Sequence, residues 1–384
     1  MSKRIIKFGI IGCGLMGREF ASAAARWCHL LESKAKPELV AICDKNEALY
    51  SWYTENFESI TQTTDDYKAL LANDDVEAIY CAVPHSLHEE IYIDIINSGK
   101  HLLGEKPFGV DLEANTAIVR AVKENQEVMV RSSSEFPFYP GVQRIINAVK
   151  NEDLGQIIEV ESGFLHSSDI NPNKAINWKR MISVNGEYGC MGDLGLHMLH
   201  VPLRLGWEPK RVFAQLSNLV KTRPDGKGGE APCETWDNAT LHCDVETDSG
   251  NFPMSLKTWR IAPGETDSWY LKVLGTKKSY YFNTKNPKLL EFMHYEAGGS
   301  QCWQREDLGY TPIAPCITGG IFEFGFTDAI LQMWAAFVDE LAGGDANGFP
   351  CASVEETAKS HALFTAALKS HAEHSVEEVN YETF

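Results

Sequence analysis

The sequence predicts an α/β fold in two parts: an N-terminal doubly wound parallel sheet, then an α+β region with a large, mostly antiparallel open sheet. Three observations predict it. Short apolar runs alternate with amphipathic stretches over the first ~130 residues. A glycine-rich turn joins the first run to the first helix, as in dinucleotide-binding folds. After Arg131 strand-like runs follow one another without crossover helices between them. The boundary therefore falls at 131/132, giving a dinucleotide-binding domain over 1–131 and a second domain over 132–384 that closes with helices.

Taken in order, IIKFGII (5–11) reads as a buried strand and 15–31 as the first helix. ELVAICD (38–44), EAIYCAV (77–83), HLLGEKP (101–107) and EVMVRSS (127–133) read as further strands, with helical stretches such as LHEEIYIDIINSG (87–99) between them. Strands this continuously apolar belong to a parallel sheet covered on both faces. A helix is expected near 140–150, followed by a long strand, QIIEVESGFL (156–165), and a helix through YGCMGDLGLHMLH (188–200). Strands then follow at RVFAQLSNLV (211–220), ATLHCDVET (239–247), FPMSLKTWRI (252–261) and WYLKVLG (269–275). Residues 283–320 are rich in turn formers and read as a long surface excursion. Two amphipathic helices are expected near 325–342 and 354–372.

Composition narrows the function. The chain has 384 residues, 44% hydrophobic and 23% charged, which is ordinary globular composition. A formal charge of −18 argues against a grip on nucleic acid, which needs clustered Lys and Arg. No stretch approaches the roughly 20 apolar residues of a membrane span. The basic, apolar N-terminus is broken at once by glycines and lacks a cleavage signal. Ten scattered cysteines without a C-x-x-C pair fit small core residues in a reducing cytoplasm. The expected partner is thus a small molecule, with no nucleic acid and no membrane.

GIIGCGLMGREF places Gly12, Gly14 and Gly17 in G-x-G-x-x-G spacing between a strand and a helix. The first glycine permits the tight turn, the second lets backbone approach a pyrophosphate, and the third lets helix pack on strand. Cys13, Leu15 and Met16 complete that turn. Asp44 ends the second strand, where its carboxylate would accept hydrogen bonds from ribose hydroxyls. It lies 27 residues beyond Gly17, so the first helix or its exit, HLLESKAKP, must be extended. Asp44 would repel a 2′-phosphate and favours NAD over NADP, although Lys45 beside it works the other way. The alternative is an aspartate that only caps the next helix. Glu105, Lys106 and Pro107 follow another strand at the carboxyl-end edge where open α/β sheets bind ligands.

The ordered set GIIGCGLMG, VPHSLH (83–88), GEKP and YGCMGDLGLH resembles the glucose–fructose oxidoreductase, inositol dehydrogenase and MocA (Gfo/Idh/MocA) family of NAD(P)-dependent oxidoreductases, over nearly the whole chain. That resemblance implies a Rossmann domain, a C-terminal domain whose open sheet mediates assembly into a homodimer or homotetramer, and a nicotinamide cofactor. It also implies a catalytic lysine at Lys106 and a catalytic aspartate and histidine at Asp193 and His197. Val83, Pro84, His85 and His88 match the family's T-P-N-x-x-H loop by the cofactor, with Val83 for threonine and His85 for asparagine. With Glu105 and Lys106 they extend the cofactor-binding set. Pro137 stands where the family often has an arginine before a proline, and His200 where it often has an aspartate; both departures bear on substrate class.

Asp193, His197 and His200, spaced by four and three, line one face of a helix. Three readings of that face stay open. A metal site would need converging ligands from another segment, and none is assigned. In a structural reading Asp193 caps the helix and the histidines pack in the core. In the favoured reading His197 takes a hydroxyl proton, Asp193 holds its imidazole and stabilises the charged form, and Lys106 stabilises the developing oxyanion. The glycines before Asp193 suit close approach to a substrate or cofactor.

The loop FLHSSDINPNKAINWKR (164–180) offers His166, Asp169, Trp178, Lys179 and Arg180, with His197, as a substrate-binding set of mixed donors, acceptors and an aromatic ring; a plain polar surface loop is the alternative. Trp236, Trp259, Arg260 and Trp269 are further pocket candidates, with core packing the alternative because strand tryptophans are more often core. The expected activity is hydride transfer between NAD and a secondary hydroxyl of a sugar, glycoside or inositol. The alternatives are a redox-neutral glycoside-processing enzyme with tightly bound NAD and a non-catalytic sugar sensor.

Overall fold

The computed structural model describes residues 3–151 and 153–381. The chain forms two compact units. The first comprises residues up to 109, 113–138 and 310–355; the second comprises 110–112, 139–309 and the chain from 356 onward.

In the first unit, β1 (Arg4–Ile11), β2 (Ala35–Cys43), β3 (Gln62–Thr64), β4 (Ala78–Cys81), β5 (His101–Gly104) and β6 (Val130–Ser132) build one sheet, ordered β3-β2-β1-β4-β5-β6 and parallel throughout. That order is the doubly wound arrangement, and its switch point lies between β1 and β4. The helices α1 (Leu15–Ala25), α2 (Tyr50–Asn56), α3 (Tyr67–Leu71), α4 (His88–Asn97) and α5 (Leu112–Glu124) connect the strands. A short 3₁₀ turn, Arg26–His29, extends the exit of α1 and takes up the long interval between Gly17 and Asp44. Strand β3 is three residues long, too short to leave a pattern in the sequence.

The second unit begins with α6 (Pro140–Asn151), β7 (Ile157–Leu165), α7 (Ile182–Asn185) and α8 (Cys190–Arg204). There follow β8 (Pro209–Ser217), a small ribbon of β9 (Thr222–Pro224) and β10 (Glu230–Pro232), then β11 (Asn238–Thr247), β12 (Gly250–Trp259), β13 (Ser268–Gly275) and β14 (Lys278–Asn283). With β15 (Leu289–His294), β16 (Gln304–Asp307) and β17 (Glu377–Glu378) they form a sheet ordered β16-β15-β14-β13-β7-β12-β11-β8-β17, in which only β7 and β12 pair in parallel. Fourteen of the fifteen residues of α8 are buried, Cys190 through Leu203. Its apolar residues therefore run all round it, as in a helix enclosed by protein.

Two expectations are corrected here. The stretch 283–320 is not a surface excursion throughout: β15 and β16 extend the sheet edge, and Tyr310, Ala314 and Cys316 are buried. Nor does the chain divide once at 131/132, because 310–355 returns to the first unit. The helix α9 (Phe326–Leu341) brings Trp334, fully buried, edge-on to Phe8 of β1 with ring centroids 5.4 Å apart. Arg131 of β6 donates from Nε to Glu340 at 3.1 Å. The last helix, α10 (Val354–Glu373), lies mostly in the second unit.

Candidate functional site

The residues expected to hold a dinucleotide stand at the carboxyl ends of β1, β2, β4 and β5 in the first unit. Gly12 has φ +98°, and a Cβ there would meet the Ala82 carbonyl oxygen at 2.3 Å. At Gly17 a Cβ would lie 2.2 Å from the Gly12 oxygen, so helix and turn touch only because both residues lack side chains. A Cβ on Gly14 would meet nothing within 4 Å, and Gly14 begins α1 without a side-chain cap. Open space beside uncapped N–H groups at a helix start suits an anionic group. Asp44 accepts from the Cys13 N–H at 2.8 Å and from the Asn46 N–H at 2.8 Å, one carboxylate oxygen each. Each oxygen keeps acceptor capacity for a ribose hydroxyl. Lys45 is exposed, 4.0 Å from Asp65. Leu15 is exposed, Met16 half-buried, and the buried Cys13 thiol is pushed up to about 12 by burial, with Asp44 adding to it, so it is no thiolate.

After β4, Val83 is half-buried, Pro84 exposed and His85 buried. Two of the expected cofactor contacts face inward. His88 is wholly enclosed, its Nδ1 2.6 Å from the Pro107 oxygen and its Nε2 3.0 Å from the Val83 oxygen. Burial pushes its pKa down to about 4, so the ring is neutral at pH 7. Glu105, 8% exposed, accepts from the Tyr80 hydroxyl at 2.7 Å, and its carbonyl accepts from the Tyr92 hydroxyl at 2.6 Å. Lys106 is half-buried and precedes a cis Pro107.

In the second unit α8 presents Asp193 and His197, but the Asp193 carboxylate is already claimed. Lys179 Nζ reaches its two oxygens at 3.1 Å each, and Arg260 Nη1 also donates to it. Arg260 Nε further donates to Asp169 at 3.3 Å, and Asp169 pairs with Arg180 at 3.0 Å and Lys174 at 3.1 Å. Arg180 in turn pairs with Asp237. Burial would raise the Asp169 carboxyl, but Arg260 and Arg180 overcome it and hold the group below its ordinary value of 3.8. His197 is 4% exposed; its carbonyl accepts from Trp269 Nε1 at 2.8 Å, and its ring stands edge-on to Phe164. His200 is buried against Arg204, 3.0 Å away, and Glu356, so its setting is structural. Among the described residues no group of three or more His, Cys, Asp or Glu is arranged to hold a metal ion.

The substrate loop divides. Trp178 and Lys179 are half-buried, the ammonium 5.4 Å from the indole centroid, whereas Asp169 and Arg180, at 1% and 0% exposure, are enclosed by their ion pairs. His166 donates from Nδ1 to the Thr266 carbonyl oxygen at 3.0 Å, and burial, then Arg260, push its pKa down to about 4. The glycines before Asp193 serve protein packing: a Cβ on Gly186 would strike the Val110 oxygen at 2.3 Å, and one on Gly189 the Trp236 nitrogen at 2.7 Å. Trp259 bonds Thr240, and Trp236 packs on His371 while its carbonyl accepts from the Cys190 N–H at the start of α8 at 3.3 Å; of the four further candidates Arg260 and Trp269 bond Asp193 and His197 themselves. The roles of Arg260 and Trp269 in holding Asp193 and His197 leave no local signal, since 67 and 72 residues separate the partners.

Residues 6–132 match the family model described as "Oxidoreductase family, NAD-binding Rossmann fold", and residues 142–281 match the GFO/IDH/MocA C-terminal domain. The chain belongs to the GFO/IDH/MocA oxidoreductase family. It is 27% identical over 225 residues to levoglucosan dehydrogenase of Pseudarthrobacter phenanthrenivorans, covering 58% of this chain and 57% of that protein. It is 23% identical over 295 residues to glucose-6-phosphate 3-dehydrogenase of Bacillus subtilis, covering 75% and 77%. The solved structure of a levoglucosan dehydrogenase in complex with NADH and L-sorbose superposes with a TM-score of 0.87 at 22% identity, over 98% of this chain and 99% of that one, a likeness of fold.

Proposed function

We propose that this chain is an NAD-dependent dehydrogenase acting on a secondary hydroxyl of a sugar, glycoside or inositol. The observation that carries the cofactor half of this reading is the turn after β1, where Gly14 leaves open space at the uncapped start of α1 and Asp44 stands beside it on the Cys13 N–H. Gly12, Gly14 and the first turn of α1 would hold the pyrophosphate, and Asp44 the ribose hydroxyls. When bound, the nicotinamide supplies the hydride acceptor. The sugar half is supported by the two named relatives, both sugar dehydrogenases.

In this reading His197 takes the hydroxyl proton, and Lys106 donates to the same oxygen and stabilises its developing negative charge. Asp193 contributes through geometry: pinned by Lys179 and Arg260, it is a fixed carboxylate one helical turn before His197. The copies associate through the nine-stranded sheet, whose outer face carries Leu165, Tyr270, Leu274, Tyr281 and Met293 around a cavity of 670 Å³; light scattering of the purified protein should report a dimer or tetramer. No helix among the described residues is long and apolar enough to cross a membrane.

The test is the reduced nicotinamide formed per site when the protein and excess NAD⁺ meet a panel of sugars, glycosides and inositols. Many equivalents per site are expected. Substrate consumption with one equivalent or less would replace the dehydrogenase by a redox-neutral enzyme, and binding without consumption by a sensor. Near-wild-type turnover in both Lys106→Ala and His197→Ala would overturn the residue assignment.

A further inference from the structure

The carbonyls on either side of Lys106 are both bonded by one helix. Tyr92 Oη donates to the Glu105 oxygen at 2.6 Å, and His88 Nδ1 lies 2.6 Å from the Pro107 oxygen. His88 and Tyr92 are one turn apart on α4, and their rings stack with centroids 4.7 Å apart and 14° from parallel. Neither side chain has any exposed surface. Room for the tyrosine comes from Gly104, where a Cβ would lie 2.8 Å from Tyr92 Cζ. Tyr80 fixes the Glu105 carboxylate from a third direction at 2.7 Å. On its far side the His88 ring abuts the Val83 oxygen at 3.0 Å, in the loop that leaves β4.

From this geometry we infer that His88 and Tyr92 are positioning residues for Lys106, a clamp on α4 that holds the main chain before and after the lysine. The inference rests on the proposed role of Lys106. A group with no exposed surface does not touch a ligand, so its influence passes through the segment it bonds. An apolar pair of the same shape would fill the space but would leave two buried carbonyls short of a donor, and Pro107 has no N–H with which to anchor the segment itself. The Pro107 oxygen also accepts from the Gly109 N–H at 3.0 Å, which closes the turn but does not link it to α4.

Three variants test it: His88→Phe, which keeps the stacked ring and removes the N–H donor; Tyr92→Phe, which removes one hydroxyl; and His88→Gln, whose amide N–H₂ can donate to the Pro107 carbonyl. The first readout is the rate of Lys106 amidination by methyl acetimidate in the cofactor-free protein, followed by peptide mass spectrometry. The second is kcat and KM for NAD⁺ and for the best sugar of the panel. His88→Phe and Tyr92→Phe should each raise the amidination rate at least threefold and lower kcat at least tenfold with sugar KM changed less than threefold, and His88→Gln should restore most of both. Unchanged amidination in His88→Phe and Tyr92→Phe would overturn the clamp. If His88→Phe does not fold, Tyr92→Phe alone decides. If no sugar is turned over by the wild-type protein, the dehydrogenase reading fails, and amidination still judges the clamp.

Discussion

Asp193→Asn should destabilise α8 more than Arg260→Met, and the double variant should recover part of the loss. Three buried carboxylates, Asp169, Asp193 and Asp237, face two buried arginines, Arg180 and Arg260, and two partly exposed lysines, Lys174 and Lys179. Asp193→Asn leaves two carboxylates against four cations, with Arg260 only 5% exposed and short of one partner. Removing one member of a buried pair costs about 3–5 kcal/mol, and this substitution belongs in that range. Arg260→Met leaves three against three: Asp193 keeps Lys179 at 3.1 Å, and Asp169 keeps Arg180 at 3.0 Å and Lys174 at 3.1 Å. No carboxylate is stranded, so the cost should stay below about 3 kcal/mol. The double variant removes one charge of each sign, and the coupling should be about 1–3 kcal/mol. Native-state hydrogen exchange of the α8 amides, read on the peptide spanning 190–204, measures each corner of the cycle as a local opening free energy without requiring a two-state chain. Additivity to within about 0.5 kcal/mol would refute the reasoning, because the two residues would then not share an interaction.

Other substitutions separate folding from binding. Gly14→Ala should leave the melting temperature unchanged and weaken NADH binding at least tenfold in a fluorescence titration, since its Cβ enters open space at the start of α1. Gly17→Ala should lower both, because its Cβ meets the Gly12 oxygen at 2.2 Å; equal melting temperatures for the two variants would contradict the packing argument. Trp334→Ala should cost about 3–5 kcal/mol in the first unit, as large aromatic truncations in cores do, seen as earlier unfolding of its peptides in urea. On acidification, His88 should destabilise the fold: burial lowers its pKa from 6.5 to about 4, so the unfolded chain takes up the proton first. The stability it contributes is complete above pH 6.5 and is lost as pH falls toward 4, amounting to about 3 kcal/mol. Melting temperatures between pH 7.5 and 4.5 should therefore fall more steeply in wild type than in His88→Gln, and parallel curves would refute the assignment.

Much of this was legible because its causes are local. The strands β1, β2, β4, β5 and β6 announce themselves by apolar runs, and the glycine turn by a spacing whose steric reason lies largely within residues 12–17, with Ala82 and Tyr53 beside them. What escaped depends on residues far apart in the chain. Strand β15, LLEFMH, is six residues without clean alternation amid turn formers, and its pairing with β14 and β16 makes it a strand. The return of 310–355 rests on Trp334 finding Phe8, more than 300 positions away, which no periodicity encodes.

The same distinction separates the charged residues. Asp193 and His197 share a helical face, and from the sequence that neighbourhood reads as a carboxylate serving an imidazole. The fold instead brings Lys179 and Arg260 onto that carboxylate, so its charge is balanced before any substrate proton is considered. Net charge misleads in the same way: a chain of −18 places more cations than carboxylates around Asp169, Asp193 and Asp237. His88 shows the converse. Its partner Tyr92 stands at i+4 in HEEIY, a spacing the sequence displays, and the two rings stack on one helix face. The ring is turned inward, because a histidine stacked on an enclosed tyrosine has that face covered by protein. Its nitrogens then meet whatever main chain passes beside the helix, and here that is the chain on both sides of the β4 loop and the lysine segment.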